Sequence, residues 1–394
     1  MLVKHLALAA IITMLTTVTG LPSCSSFQEI SSTSAPPFVF RSLELSQNKP
    51  GGEQLWELSS PEARYELSRR ILRSRDPRGL LYSNGRPVYS ISADNMTVVN
   101  DGELILLEGQ VRIQQLRGRK ILIRGGQLRW IPNEALMLIE QRSIVTDRLS
   151  RLIAKRTMFY PKQQELEFLG PTKISHWTGN EPPDQSREPD TIIWASKGYW
   201  NISDGAIKAF GPIRVHRSGK GQDHLQWLKA SRLSGNTIEG YIDLIAPVVA
   251  AIPALNSRLQ AGTTRWWYQK EHLTTETPFV GKFGDADVRG YGFYIRLGEN
   301  IATATAACSL QWPDERLQAR SCRWNWLSGE ILAKGDIELR RHNSNRISQA
   351  QWLKGSVGPK KHIQLSNPSG YVSSKLELDW EAFPSRHQAS PIQF

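Results

Sequence analysis

The sequence predicts an all-β fold built from repeated β-hairpins, and three observations carry that prediction. The first is strict alternation. In residues 103–113, ELILLEGQVRI, the positions Ile105, Leu107, Gly109, Val111 and Ile113 fall on one side, and Glu108, Gln110 and Arg112 on the other. That is a strand with one apolar and one wet face. The second is recurrence. The same phase returns at Leu166, Phe168, Gly170, Thr172 and Ile174, at Ile207, Ala209, Gly211, Ile213 and Val215, at Ile242, Leu244, Ala246 and Val248, and at Ile331, Ala333, Gly335, Ile337 and Leu339. Sixteen residues before each central small residue stands an alanine: Ala93, Ala154, Ala195, Ala230 and Ala319. Two weaker copies start at Gly125 and Ala261, with Gln141 and Thr277 at their sixteenth positions. The third is turn chemistry between the two halves of each copy, as in Asn100-Asp101-Gly102, Pro132-Asn133 and Ser203-Asp204-Gly205.

About seven copies of one unit result, with starts 32, 29, 41, 35, 31 and 58 residues apart. A period in this range marks a repeat architecture. The last gap is near two periods and leaves room for an eroded copy at 285–305.

The elements follow in chain order. Residues 1–23 combine Lys4 with an apolar run from Leu6 to Leu21 and read as a secretory signal peptide. The following Leu21-Pro22-Ser23-Cys24 suggests a lipidated Cys24. Plain secretion and an uncleaved short anchor are the alternatives, and all three send the chain out of the cytoplasm. Residues 24–59 are rich in Ser, Pro, Gly and Gln and read as a flexible tether. Ser60-Pro61-Glu62, with Ala63, Leu67 and Ile71 at four-residue spacing, predicts a short helix over 60–76 that ends at Asp76-Pro77. From 88 onward strands and turns are expected, with loops at 179–189, 217–224 and 281–290. The periodic region divides into a regular part, 88–265, and a looser one, 266–394, whose weakly alternating end closes the structure.

Net charge is +12 and pI near 9.7, which predicts attraction to polyanions. An exported chain turns that expectation from nucleic acid toward anionic lipid or phosphorylated glycolipid. Cys308 and Cys322 lie on adjacent predicted strands, where they either pair or remain buried thiols. No catalytic signature is present: the eight histidines are scattered, and HExxH, Walker A, GxGxxG and G-x-S-x-G motifs are absent. No cofactor, metal or enzymatic activity is expected.

The tethered, alternating chain, clearest in SADNMTVVNDGELILLEGQVRI and continuing to Ile174, resembles the lipopolysaccharide-export bridge proteins, the LptC, LptA and OstA-like domains, and LptC most of all. It covers residues 60–250 well and 255–394 loosely. Two departures are a Cys24 anchor where such proteins have a membrane helix, and a chain about twice the length of one such domain. The resemblance implies an open, taco-like β-jellyroll, single or two in tandem, with an apolar groove for lipopolysaccharide. It implies passage of that lipid from an inner-membrane export transporter toward the outer membrane. It also implies end-to-end strand pairing with other jellyroll bridge proteins, and a periplasmic location at the inner membrane rather than the outer. On that reading the inward phase is the lipid path: Ile105, Leu107, Val111, Ile113, Leu166, Phe168, Ile174, Ile207, Ile213, Val215 and Ile337. Arg112, Lys173 and Arg214 would meet phosphates at the groove mouth. Fourteen strands split over two sheets would stack to roughly 34 Å. The alternatives are a sealed structural or adhesive scaffold, or a glycan-binding module using Trp177, Trp267 and Trp352.

Overall fold

The computed structural model describes residues 37–179, 187–218, 226–344, 346–356 and 362–376. The signal-peptide region and Cys24 lie outside them. Among the described residues every strand pairing is antiparallel, and the pairings resolve into two ladders that share their longest strands.

Strand Leu104–Gln115 shows the principle. Its first half, 104–108, pairs with Asn95–Val99, and its second half, 112–115, pairs with Arg86–Ser92. At the break sits Gly109 with φ +73, followed by Gln110 with φ +40. One strand therefore leaves one sheet, bends through two left-handed residues and enters the other. Strands Leu122–Ile131, Glu165–His176, Thr191–Asn201, His272–Phe283, Ala286–Arg296, Ile301–Gln311, Glu330–Arg341 and Arg346–Ser356 divide in the same way. We call the sheet holding 95–99 and 104–108 sheet I, and the sheet holding 86–92 and 111–115 sheet II.

This explains the sixteen-residue spacing. After Ala93 the chain crosses the corner at Asp94, runs out along sheet I over Asn95–Val99, turns at 100–103, returns over 104–108 and recrosses at Gly109. The excursion has the same length in the other copies because sheet I has a constant width. The two crossings stack. Asp94 N–H donates to the Gly109 carbonyl (3.0 Å), Gly126 to Gln141 (2.8 Å) and Arg320 to Gly335 (2.8 Å). A Cβ at Gly109 would lie 2.3 Å from Asp94 Oδ2, and one at Gly170 2.9 Å from Lys155 Cβ. The small residue thus marks a bulged corner. The variable part of the period belongs to the sheet II turns, such as 116–121 and 253–256.

Several expectations need correction. No helix covers 60–76: Glu62–Glu66 and Ile71–Arg75 form a hairpin around Leu67–Arg70. Ser60 acts there as a donor to Glu62 and Arg75 carbonyls, not as a helix cap. Ala63 and Tyr65 alternate as well as Ala63 and Leu67 repeat, and pairing with Val39 and Arg73 decided for the strand. Strands Phe38–Phe40, Leu43–Asn48 and Gln54–Ser60 lie in the stretch read as tether, with Trp56 and Leu58 buried. Residues 281–290 are two strand ends around a tight turn, and Ala286–Gln311 fills the long gap in the repeat. No break in the ladder marks residue 265. Each sheet runs through some 21 strand segments, which at ~4.8 Å per strand gives roughly 101 Å, three times the expected length.

Candidate functional site: the space between the sheets

The two sheets turn their apolar sides toward each other, and the inward phase predicted from sequence occupies that space. Ile105, Leu107, Leu166 and Phe168 belong to sheet I; Val111, Ile113, Ile213, Val215 and Ile337 to sheet II; all are 0–1% exposed. Ile207 is 9% exposed, and Ile174 is half-buried against the same core. These side chains fill the interior of the regular section.

Away from the corner, cross-sheet contacts close the regular section. Trp56 meets Trp130 edge to face at 5.0 Å, and Tyr89 meets Phe159 at 5.1 Å. Arg119, on a sheet II turn, donates to Asp147 (2.9 Å) and across to Thr237 (2.7 Å), and lies over the Trp200 ring. His176 meets Tyr268 at 5.0 Å. Burial pushes the Tyr89 and Tyr268 hydroxyls up to about 12 and lowers the His176 imidazole below its usual value. A further cross-sheet contact is ionic: Arg217, its side chain 6% exposed, donates to Glu271 (2.9 Å) and to Gln226 (3.1 Å).

Beyond that pair the sheets leave a local gap, while Phe279 and Phe293 still meet across them at 5.6 Å. A cleft of about 110 Å³ opens between them, walled by Leu228, Leu259 and Phe283 of sheet II and Leu273, Ile295 and Trp324 of sheet I. Gln226 stands at the Arg217 end, and Arg258 and Lys282, paired in register, belong to the strands of its sheet II wall but alternate with the inward Leu259 and Phe283 and so lie in the outer phase. Both cations are exposed, and neither has an ion pair among the described residues. None of the sequence-predicted site residues lines this cleft. Leu228, Leu259 and Trp324 occupy repeat positions, so their phase was readable. Ile295 and Phe283 lie in the part where the repeat had eroded. Deeper along the roll, Cys308 and Cys322 form a disulfide between a sheet II segment and a sheet I segment, with Cα atoms 5.9 Å apart.

The tryptophans expected for a glycan module are dispersed. Trp177 is 4% exposed and donates to the Arg187 carbonyl; Trp267 packs between Tyr241 and His272; only Trp352 is open, at 45%. Arg112, Lys173 and Arg214 lie on the outer face of sheet II, not at the mouth. Among the described residues no cluster of metal-ligating side chains occurs, and no helix is long and apolar enough to cross a membrane.

Residues 6–176, less than half of the chain, match the family model described as LptC: Lipopolysaccharide-assembly, LptC-related. No curated protein sequence matches. Similar solved structures include LptH, the LptA homologous periplasmic component of the conserved lipopolysaccharide transport device from Pseudomonas aeruginosa. The identity is 7% and the TM-score 0.20, over 39% of this chain and 80% of that one.

Proposed function

We propose that this chain, LptC-related over residues 6–176, is a lipopolysaccharide-transport component that holds the lipid's acyl chains between its two sheets. The observation that carries this reading is the cleft beyond Arg217–Glu271, with apolar walls, and with Arg258 and Lys282 exposed on the outer phase of the strands that wall it. An anionic lipid with several acyl chains needs both parts: hydrocarbon gains about 0.8 kcal/mol per buried methylene, and phosphates pair with unshielded cations. The packed inward phase, Ile105 to Val215, is the continuation of that path, entered as the sheets part. The chain works outside the cytoplasm, held to the inner membrane through Cys24, and receives lipid from the export transporter. The exposed edge strand Phe38–Phe40, with Val39 61% exposed, offers an end for strand pairing with another jellyroll. The chemistry is binding and passage, without catalysis.

Photo-crosslinking in cells tests the reading. A photoreactive residue replaces Leu259 or Ile295 in the cleft, Ile105, Val111, Ile213 or Ile337 in the packed phase, and Gln110 or Arg112 outside. Lipopolysaccharide adducts are expected at Leu259 and Ile295, at the packed positions during active transport, and at neither control. Folded variants without adducts at any apolar position would reduce the roll to a sealed scaffold.

A further inference from the structure

The outer faces of the two sheets carry their charge differently. On sheet I several outward cations have a carboxylate partner: Arg64 with Glu62, Arg73 with Glu66, Arg129 with Glu140 and Arg265 with Asp243. On sheet II a single cross-strand row reads, rung by rung, Arg112, Arg124, Ile144, Ile153, Lys173 and Trp194, then Arg214 and Lys229. Among the described residues none of its five cations has an ion pair, and the Arg124 Nε is enclosed without a hydrogen-bond partner. This row is therefore a run of unpaired positive charge on one side of the roll.

The row is not only cationic. Ile153 is 39% exposed, and Trp194 stands between Lys173 and Arg214 with its ring against His216 at 4.7 Å. These residues surround a shallow groove floored by Gly170, Pro171 and Pro212. Lys229 lies over the Trp227 ring at 4.8 Å. Sheets twist, so a plane meets only part of such a row at once. The segment from Ile153 to Lys229 spans four rungs, about 19 Å, short enough to meet one plane.

We infer that this segment of sheet II docks on a membrane surface bearing anionic phospholipid headgroups. The cations answer the phosphates, each contributing about fivefold to binding near such a surface. Ile153 and Trp194 gain by entering the boundary between headgroups and acyl chains, where tryptophan concentrates. An exposed isoleucine in the row has no such gain from a nucleic-acid backbone, which offers charge and base faces only. The inference is separate from the lipid path, which uses the opposite side of the same sheet.

The test uses the full chain carrying Cys24→Ser, so that no acyl anchor masks the contribution of charge. It measures binding to vesicles of phosphatidylethanolamine with phosphatidylglycerol, and of phosphatidylcholine alone. Lys173→Gln, Arg214→Gln and Lys229→Gln together should lower the phosphatidylglycerol-dependent binding by about a hundredfold, and added salt should weaken the parent in the same direction. Arg64→Gln, Arg73→Gln and Arg129→Gln remove the same net charge from the other face and should stay within about threefold. An environment-sensitive fluorophore at Ile153→Cys should shift blue on the anionic vesicles, and one at Lys208→Cys on sheet I should not. Equal losses in the two triple variants, or no shift at 153 while binding persists, would overturn the inference. So would tighter binding to single-stranded RNA than to the vesicles, lost in the same sheet II variant, which would assign the row to nucleic acid.

Discussion

Replacing Gly170 by alanine tests the corner on which the whole roll depends. Gly170 has φ +81, and a Cβ there would lie 2.9 Å from Lys155 Cβ. That neighbour is a backbone-attached carbon, so it cannot rotate away as a side-chain tip would. The left-handed conformation costs an alanine about 1–2 kcal/mol, and the contact adds about 1–3 kcal/mol of overpacking. The expected loss is therefore about 2–5 kcal/mol, read as a lower denaturant midpoint by tryptophan fluorescence with an unchanged slope. Gly52 supplies the control: φ is +85, but nothing lies within 4 Å of its added Cβ. Gly52→Ala should show the conformational cost alone, about 1–2 kcal/mol. Adding Lys155→Gly to Gly170→Ala should recover the steric part. If Gly170→Ala costs no more than Gly52→Ala, the stacked crossings do not set the corner, and the account of the sixteen-residue spacing fails.

Further outcomes follow from the contacts between the sheets. Cys308→Ser with Cys322→Ser opens a loop of sequence separation 14 and should cost about 3 kcal/mol, with faster amide exchange concentrated in strands Ile301–Gln311, Glu315–Ala319 and Ser321–Asn325. Glu271→Gln leaves the buried Arg217 guanidinium weakly partnered. It should cost about 2–3 kcal/mol, below the 3–5 of a fully enclosed pair because Glu271 is 21% exposed, and an unchanged midpoint would show that the pair does not hold the closed section shut. His176 is held neutral by burial, so its folded pKa lies below its unfolded value near 6.5. The unfolded chain then binds more protons, and this contribution to stability is present above about pH 6.5 and lost as pH falls. His176→Phe should keep the ring contact with Tyr268 and flatten the loss of midpoint between about pH 7 and about pH 5; an equal slope in both proteins would rule His176 out as its source. Val39→Lys places charge on the open edge strand and should reduce end-to-end association in sedimentation, with little change in the denaturation midpoint.

Much of the roll was legible because a strand's alternation and its environment are the same fact. Ile105, Leu107, Val111 and Ile113 alternate because one side of the strand is buried, and that holds wherever the strand pairs. The sixteen-residue interval was legible too, since it is a length along the chain. The helix over 60–76 was misread because Ala63, Leu67 and Ile71 satisfy a helical interval as well as a hairpin, and the deciding partners, Val39 and Thr97, lie elsewhere in the sequence. The first three strands were hidden by Ser, Gly and Gln at their wet positions, with Trp56 and Leu58 too few to stand out.

By itself, then, the sequence determined an antiparallel β repeat, the phase of its buried face and the places where the chain turns. Those properties depend on neighbours a few residues away. Only the tertiary structure decided that each central glycine is a corner between two sheets, that the sheets close over Ile105 to Val215 and leave a cleft between Leu228 and Trp324, and that Arg112, Lys173 and Arg214 share one outer row. Alternation tells a residue which side it faces, and an inward side reads the same whether the opposing sheet is in contact or set apart. The separation of the sheets depends on cross-sheet pairs such as Arg217 with Glu271, 54 residues apart, and no local pattern records it.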